Sequence, residues 1–253
     1  MELIKSAGHR TRLSEIVYIA FNLLLPVALF VLTAVVKIPW VAVALLLLSK
    51  WRIFAVRPRY WIVHLKSNLV DTIVGLSYVF LLTTKLDIAV QIILIALYAA
   101  WLIYLKPKSR RHFMAMQAGI GQFLGLLAVF SLSYQIDVTL VIILSWLVGY
   151  ASARHIATAY EEENLEMIAI VWGLLIAEFA WFAYHWTLAY QLAIGINIPQ
   201  IAALITVLGF AAYDMYDNQK HVRFNPLRMR LTLGVTAVLV VIILVFARWN
   251  VSV

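Results

Sequence analysis

No cysteine occurs among the 253 residues, which removes disulfide frameworks, thiolate metal sites and cysteine nucleophiles from consideration. Charge is scarce as well. Asp, Glu, Lys and Arg make up 13% of the chain, where a soluble domain carries about a quarter. Acid is the scarcer sign, 12 residues against 20 basic ones. Linkers, low-complexity stretches and polar intervals long enough for a soluble domain are missing, so the chain reads as one domain, 1–253. Several catalytic patterns are absent too: His-Glu-x-x-His, histidines one helical turn apart, a phosphate-cradling glycine loop and a Gly-x-Ser-x-Gly elbow. Glu161-Glu162 is followed by Glu166 where a paired-glutamate intramembrane protease carries arginine.

What is present is apolar surface. Hydrophobic residues fill 64% of the positions and gather in nine runs, approximately 16–36, 38–56, 68–84, 88–105, 113–134, 138–159, 165–190, 198–216 and 231–247. At about 1.5 Å per residue such runs match a hydrocarbon core roughly 30 Å thick. Lipid cannot satisfy an open backbone, and the runs are too long and too uniformly apolar for barrel strands, so helices are required. The expected fold is all-α, a polytopic transmembrane bundle of about nine spans. The first run is too long for a cleaved signal peptide and reads as a retained anchor. The second carries Lys50 and Arg52, whose stems are expected to snorkel to the surface. The basic and aromatic segment from Arg57 to Lys66 reads as a short interfacial helix opening at Pro58.

The basic residues divide unevenly between alternate intervals. Three lie in the N-terminal arm, five at or beyond the end of the second run, four beyond the fourth, one near the end of the sixth and four beyond the eighth, so seventeen of twenty share one side. Lys37, Lys85 and Arg248 lie on the other. By the positive-inside rule the N-terminus is expected in the cytoplasm and the C-terminus outside. Basic loops beside apolar runs point to anionic lipid head groups as partner, and not to nucleic acid, despite the net charge of +8.

Ser145, Gly149, Ala153 and Ala157 recur every fourth residue in the sixth run, and Gly121 and Gly125 repeat the spacing in the fifth. Small-residue stripes let helix backbones approach closely, within one bundle or across a homo-oligomer seam.

Ionisable residues inside runs are the functional candidates, because a charge in lipid must be paired, neutralised or used. Glu178 lies near the middle of the seventh run and is expected to face the bundle interior as a substrate or proton site, with His185 two turns on and Trp181 and Phe182 between them. Asn68 and Asp71 open the third run at positions suited to an N-cap and an acidic first turn. Arg154 and His155 precede Glu161, Glu162, Glu163 and Glu166, the one acid-rich interval on the basic side. Asp214 and Asp217 end the eighth run, where surface ion pairing accounts for them.

Two resemblances attach to these residues. Tyr104-Leu-Lys-Pro-Lys108 followed by Arg110, Arg111 and the Gln117, Gly121, Gly125 helix, together with Arg57-Pro58, resembles the layout of UbiA-type intramembrane prenyltransferases. That resemblance implies nine helices and a cytoplasm-facing active site that holds magnesium diphosphate on two aspartate-rich motifs. At those places this chain has Ser49-Lys50-Trp51-Arg52 and Glu162-x-x-x-Glu166. Under that reading the pocket would comprise Asn68, Asp71, Tyr104, Lys108, Arg154, Glu162 and Glu166; no cofactor is expected otherwise. The segments Lys50 to Trp61, Asn68-x-x-Asp71, and Glu178 to Trp186 with Ile198-Pro199-Gln200 resemble a multi-pass family of candidate-phylum bacteria with reduced genomes. This second resemblance implies a bacterial cytoplasmic membrane and no particular activity. The leading expectation is a membrane protein that binds or moves a small solute or lipid through Glu178, with no catalytic step. The rivals are a prenyltransferase-like enzyme and a non-catalytic scaffold.

Overall fold

The computed structural model describes residues 12–84, 86–185, 189–191, 197–220 and 224–246. Lys5, Arg10, Lys85, Trp186, Arg223 and Arg248 lie outside them. The described chain is all-α apart from one short hairpin. Its ten α-helices are α1 Arg12–Phe30, α2 Pro39–Ser49, α3 Trp61–Ser67, α4 Leu69–Thr83, α5 Ile88–Ala100, α6 Arg111–Ser131, α7 Val138–Ala159, α8 Leu165–His185, α9 Gln200–Lys220 and α10 Pro226–Val245. Strands β1 Ala189–Gln191 and β2 Asn197–Pro199 pair antiparallel, with Tyr190 opposite Ile198.

Six helical segments among the described residues are long and apolar enough to cross a membrane: Ile16–Val35, Ile88–Leu105, Arg111–Ser131, Val138–Ala159, Leu165–His185 and Pro226–Val245. A seventh arises if α4 is counted with the segment Pro58–Ser67, from which it bends by 64°. The second and eighth runs depart from expectation. Helix α2 has 11 residues, about 16 Å of rise, and stops at Ser49 instead of continuing to 56. Helix α9 is long enough, but Asp214, Asp217 and Lys220 in its last turns keep it outside the apolar set. The seventh run also ends early: α8 stops at His185, and Tyr190 belongs to β1.

Local chemistry sets several of these boundaries. Lys37 has φ 61° between α1 and α2, a backbone state no helix continues through, and Pro39 then occupies the first turn of α2. Asp137 caps α7 by accepting from the Thr139 amide at 2.8 Å. Asn225 caps α10 by accepting from the Leu227 and Arg228 amides at 3.1 Å, with Pro226 directly after it. Helices α1 and α5 end in wider π turns, Val31–Val35 and Trp101–Leu105.

The core lies among α4, α6, α7 and α8, and glycines set its spacing. A Cβ on Gly125 would lie 2.7 Å from a Val148 methyl, and one on Gly149 would lie 2.7 Å from Ile176 Cδ1 and 3.1 Å from the Gly173 backbone. Ser145, Gly149 and Ala157 are buried within the chain, and Ala153 lines a cavity between helices. The sixth-run stripe therefore packs inside the bundle, with Gly149 against Gly173 and Ile176 of α8. Helix α10 is the opposite case. It packs on α9, none of its residues is buried, and a Cβ on Gly234 would stand in open space.

Candidate functional site

Asp71 is 8% exposed, in the first turn of α4. Lys50, directly after α2, donates to its Oδ2; Lys106 Nζ lies 2.9 Å from the same oxygen; and Trp101 Nε1 donates to Oδ1 at 3.1 Å. The π turn after α5 begins at Trp101 and ends at Leu105, immediately before Lys106, so one irregular turn delivers both donors. Two ammonium groups face one carboxylate, which leaves an excess of positive charge. Lys50 is sealed in, its side chain 7% exposed, whereas the Lys106 side chain is 37% exposed and open to a ligand. The expected snorkelling of Lys50 is thus replaced by a buried ion pair, formed directly after the end of α2.

Trp101 also walls an apolar cavity of about 410 Å³ between α4, α5, α6 and α9, together with Tyr78, Tyr98, Phe123 and Phe210. Tyr98 stacks on Tyr78 with ring centroids 4.6 Å apart. The Tyr98 hydroxyl points between Leu46 and Gly75, where it has no hydrogen-bond partner among the described residues.

Two further clusters occupy the same end of the bundle. Glu166 accepts from Tyr150 at 2.6 Å and pairs with Lys66 at 2.8 Å and Arg154 at 3.4 Å. Glu162 accepts from Tyr216 and pairs with Lys220 at 2.6 Å. Glu162 lies between α7 and α8, and the Lys220 ammonium, then the Tyr216 hydroxyl, hold its carboxyl below the usual range. Close by, Tyr160 donates to Asp217 at 2.5 Å, and Arg228 binds both Asp214 and Asp217, so the eighth-run acids pair with α10. Gln117 donates to the carbonyls of Leu105 (2.6 Å) and Lys108 (2.9 Å), and its Oε1 meets His155 Nε2 at 2.8 Å.

The seven residues proposed for one cytoplasmic pocket therefore divide. Arg154 and Glu166 meet, Glu162 and Asp71 belong to separate clusters, and Tyr104 is 66% exposed. Lys108 Nζ lies over the Phe113 ring at 4.1 Å. Asn68 stands at the N-cap position of α4, but its side chain turns back to the His64 carbonyl at 2.8 Å and caps nothing on α4. Asp71 likewise serves the two lysines and Trp101, not the helix end as expected. Magnesium diphosphate does not fit this donor set. A buried lysine occupies the first motif's place, both carboxylates at the second are engaged by cations, and no group of three or more His, Asp or Glu residues lies together among those described.

Glu178 does not face the bundle interior as expected. The expected face exists, since Glu178, Trp181, Phe182 and His185 share one side of α8, but that side is exposed and turned out of the bundle. Glu178 borders an open surface groove with Leu174, Trp181 and Ile142, and makes no hydrogen bond or ion pair among the described residues. Among the described residues, His185 meets the rings of Trp181 at 5.2 Å and Tyr184 at 5.6 Å.

The Lys50–Asp71 pairing was the signal available but missed. Each is an ionisable residue at the same end of consecutive apolar runs, where one requires the other. Trp101 and Lys106 became site residues only through the π turn, which no hydropathy pattern encodes. Comparison with protein families, with curated proteins and with solved structures yields no match. Fold and site together define an all-α protein with six membrane-length apolar helices among the described residues, and an apolar cavity that ends at a buried lysine–aspartate cluster.

Proposed function

We propose that this protein binds a membrane amphiphile with an anionic head, its apolar chain in the α4–α5–α6–α9 cavity and its head group at Lys106, with Lys108 two residues further on. The observation that carries the reading is the double role of Trp101, which is at once cavity wall and hydrogen-bond donor to Asp71. That role sets a site of excess positive charge at one end of an apolar space. The Lys50–Asp71 pair holds α2 against α4, and Lys106 is the cation that can exchange its carboxylate contact for a ligand oxygen. No cofactor and no bond-breaking step enters the reading.

We further propose nine crossings in a bacterial cytoplasmic membrane, with the N-terminus inside and α2 as a short return. Contacts support this parity independently of charge counting. Lys50 and Lys106 meet at Asp71, Lys66 reaches Glu166, Arg111 lies over Tyr160, and Lys220 reaches Glu162. These contacts join the intervals after the second, fourth, sixth and eighth runs. Tyr18, near the start of α1, donates to the Leu102 carbonyl at the same end. The basic intervals there are the proposed contact with anionic lipid.

Binding of dodecyl phosphate to the purified protein in neutral detergent tests the ligand reading, with dodecyl maltoside as the uncharged comparison. Lys106→Met is expected to weaken dodecyl phosphate about tenfold or more, the loss of one charge-assisted contact, and to leave the maltoside unaffected. Equal affinity of wild type and Lys106→Met for the phosphate would refute it.

A further inference from the structure

A second apolar cavity, about 160 Å³, lies between α6, α7, α8 and α9 with Ala153, Trp172 and Tyr213 in its walls. It shares three wall residues with the larger cavity: Gly119, Thr206 and Phe210. The two spaces therefore abut across the α6–α9 contact. Phe210 Cζ lies 2.9 Å from where a Cβ on Gly119 would stand, so the ring occupies room that only glycine leaves. Phe210 is nevertheless 46% exposed, and it lines both spaces. Nothing polar ties it there; the neighbouring turn of α9 is fixed separately, by Gln122 donating to the Ile205 carbonyl at 3.1 Å and accepting from Trp172 at 3.0 Å.

We infer that Phe210 is a specificity-determining residue: a removable partition that confines the ligand's apolar chain to the larger cavity and, when swung or trimmed away, admits it to the smaller one. The inference rests on the amphiphile reading. It adds that the ligand is a single-chain anionic amphiphile whose tail ends against Phe210. Because that tail comes from lipid and not from water, extra methylenes gain little by entering the protein. Shape at the wall shared by the two spaces, set by Phe210, then decides which chains fit.

The absence of cysteine makes the test clean. Single-cysteine variants Leu124→Cys in the larger cavity, Ala153→Cys in the smaller and Leu239→Cys on the outward α10 are treated with ω-iodoacetamidoalkyl phosphates of increasing tail length. The cysteine thiolate displaces iodide to form the C–S bond, and mass spectrometry reads the alkylated fraction with time. Held by its head group, the probe is expected to label Leu124→Cys at least about tenfold faster than Leu239→Cys, with Ala153→Cys near the slow rate. Adding Phe210→Ala is expected to raise Ala153→Cys labelling about tenfold, and adding Phe210→Trp to leave it slow. Phe210→Leu replaces the alanine variant if that protein does not fold. If Leu124→Cys reacts no faster than Leu239→Cys, the amphiphile reading fails and the partition with it. If Leu124→Cys is fast but Ala153→Cys is unchanged by trimming Phe210, or is already fast with Phe210 intact, the partition alone is overturned.

Discussion

Asp71→Asn is the most informative single perturbation, because the structure fixes what each partner loses. The substitution keeps side-chain volume and removes the charge that neutralises Lys50, whose side chain is 7% exposed. The Lys50 ammonium then keeps neutral acceptors, the amide oxygen of the new side chain and the residue-71 backbone carbonyl at 3.5 Å, but no counter-charge. Breaking a buried pair in this way costs about 3–5 kcal/mol, since one charge stays desolvated without compensation. Lys106→Met is different, because that side chain is 37% exposed and its share of the network is screened like a surface pair, about 0–1 kcal/mol. Removing both buried charges, as Lys50→Met with Asp71→Leu, is expected to recover most of the loss. The remainder, about 1–3 kcal/mol, comes from the Trp101 N–H left without its acceptor. Denaturant unfolding in mixed micelles, followed by tryptophan fluorescence, measures all three. An Asp71→Asn protein within about 1 kcal/mol of wild type, the range of an exposed pair, would refute the buried-cluster reasoning, as would a double variant no better than the single.

Three further outcomes follow from other parts of the molecule. Gly149→Ala is expected to cost about 1–3 kcal/mol in the same unfolding assay, because its Cβ meets Ile176 and the unyielding Gly173 backbone, while Gly234→Ala, with open space around it, gains up to about 1 kcal/mol from helix propensity. Glu162 has a depressed carboxyl pKa, so its contribution is complete above the unfolded value and fades as pH falls through the folded one; unfolding of wild type and Glu162→Gln should differ near neutrality and converge in acid. Glu178→Leu is expected to leave dodecyl phosphate binding unchanged and to raise stability in lipid bilayers, since an outward carboxyl at mid-depth is costly there. A loss of binding on that change would restore Glu178 to the site.

The seventh run shows how one helix can be both well and badly foreseen. Periodicity correctly placed Glu178, Trp181, Phe182 and His185 on a common face, because helical geometry is local. It could not say which way that face turns, since lipid and a packed interior are equally apolar and the pattern of an all-round hydrophobic helix is the same against either. The second run teaches the complementary lesson. Its composition permits a helix past Lys50, but α2 ends at Ser49 and a carboxylate from α4 holds that ammonium inside the bundle.

Sequence alone determined the all-α class, the limits of α7 to the residue, the close-packing glycines, and the concentration of basic residues in alternate intervals. These follow from hydropathy, spacing and charge, which are properties of the chain read in order. Tertiary structure decided which ionisable groups are inside. It made Asp71, Lys50 and Lys106 one cluster, attached it to an apolar cavity through Trp101, and left Glu178 outside. A charge can be buried only where a partner from a distant segment meets it, and that meeting is fixed by packing rather than by any single run.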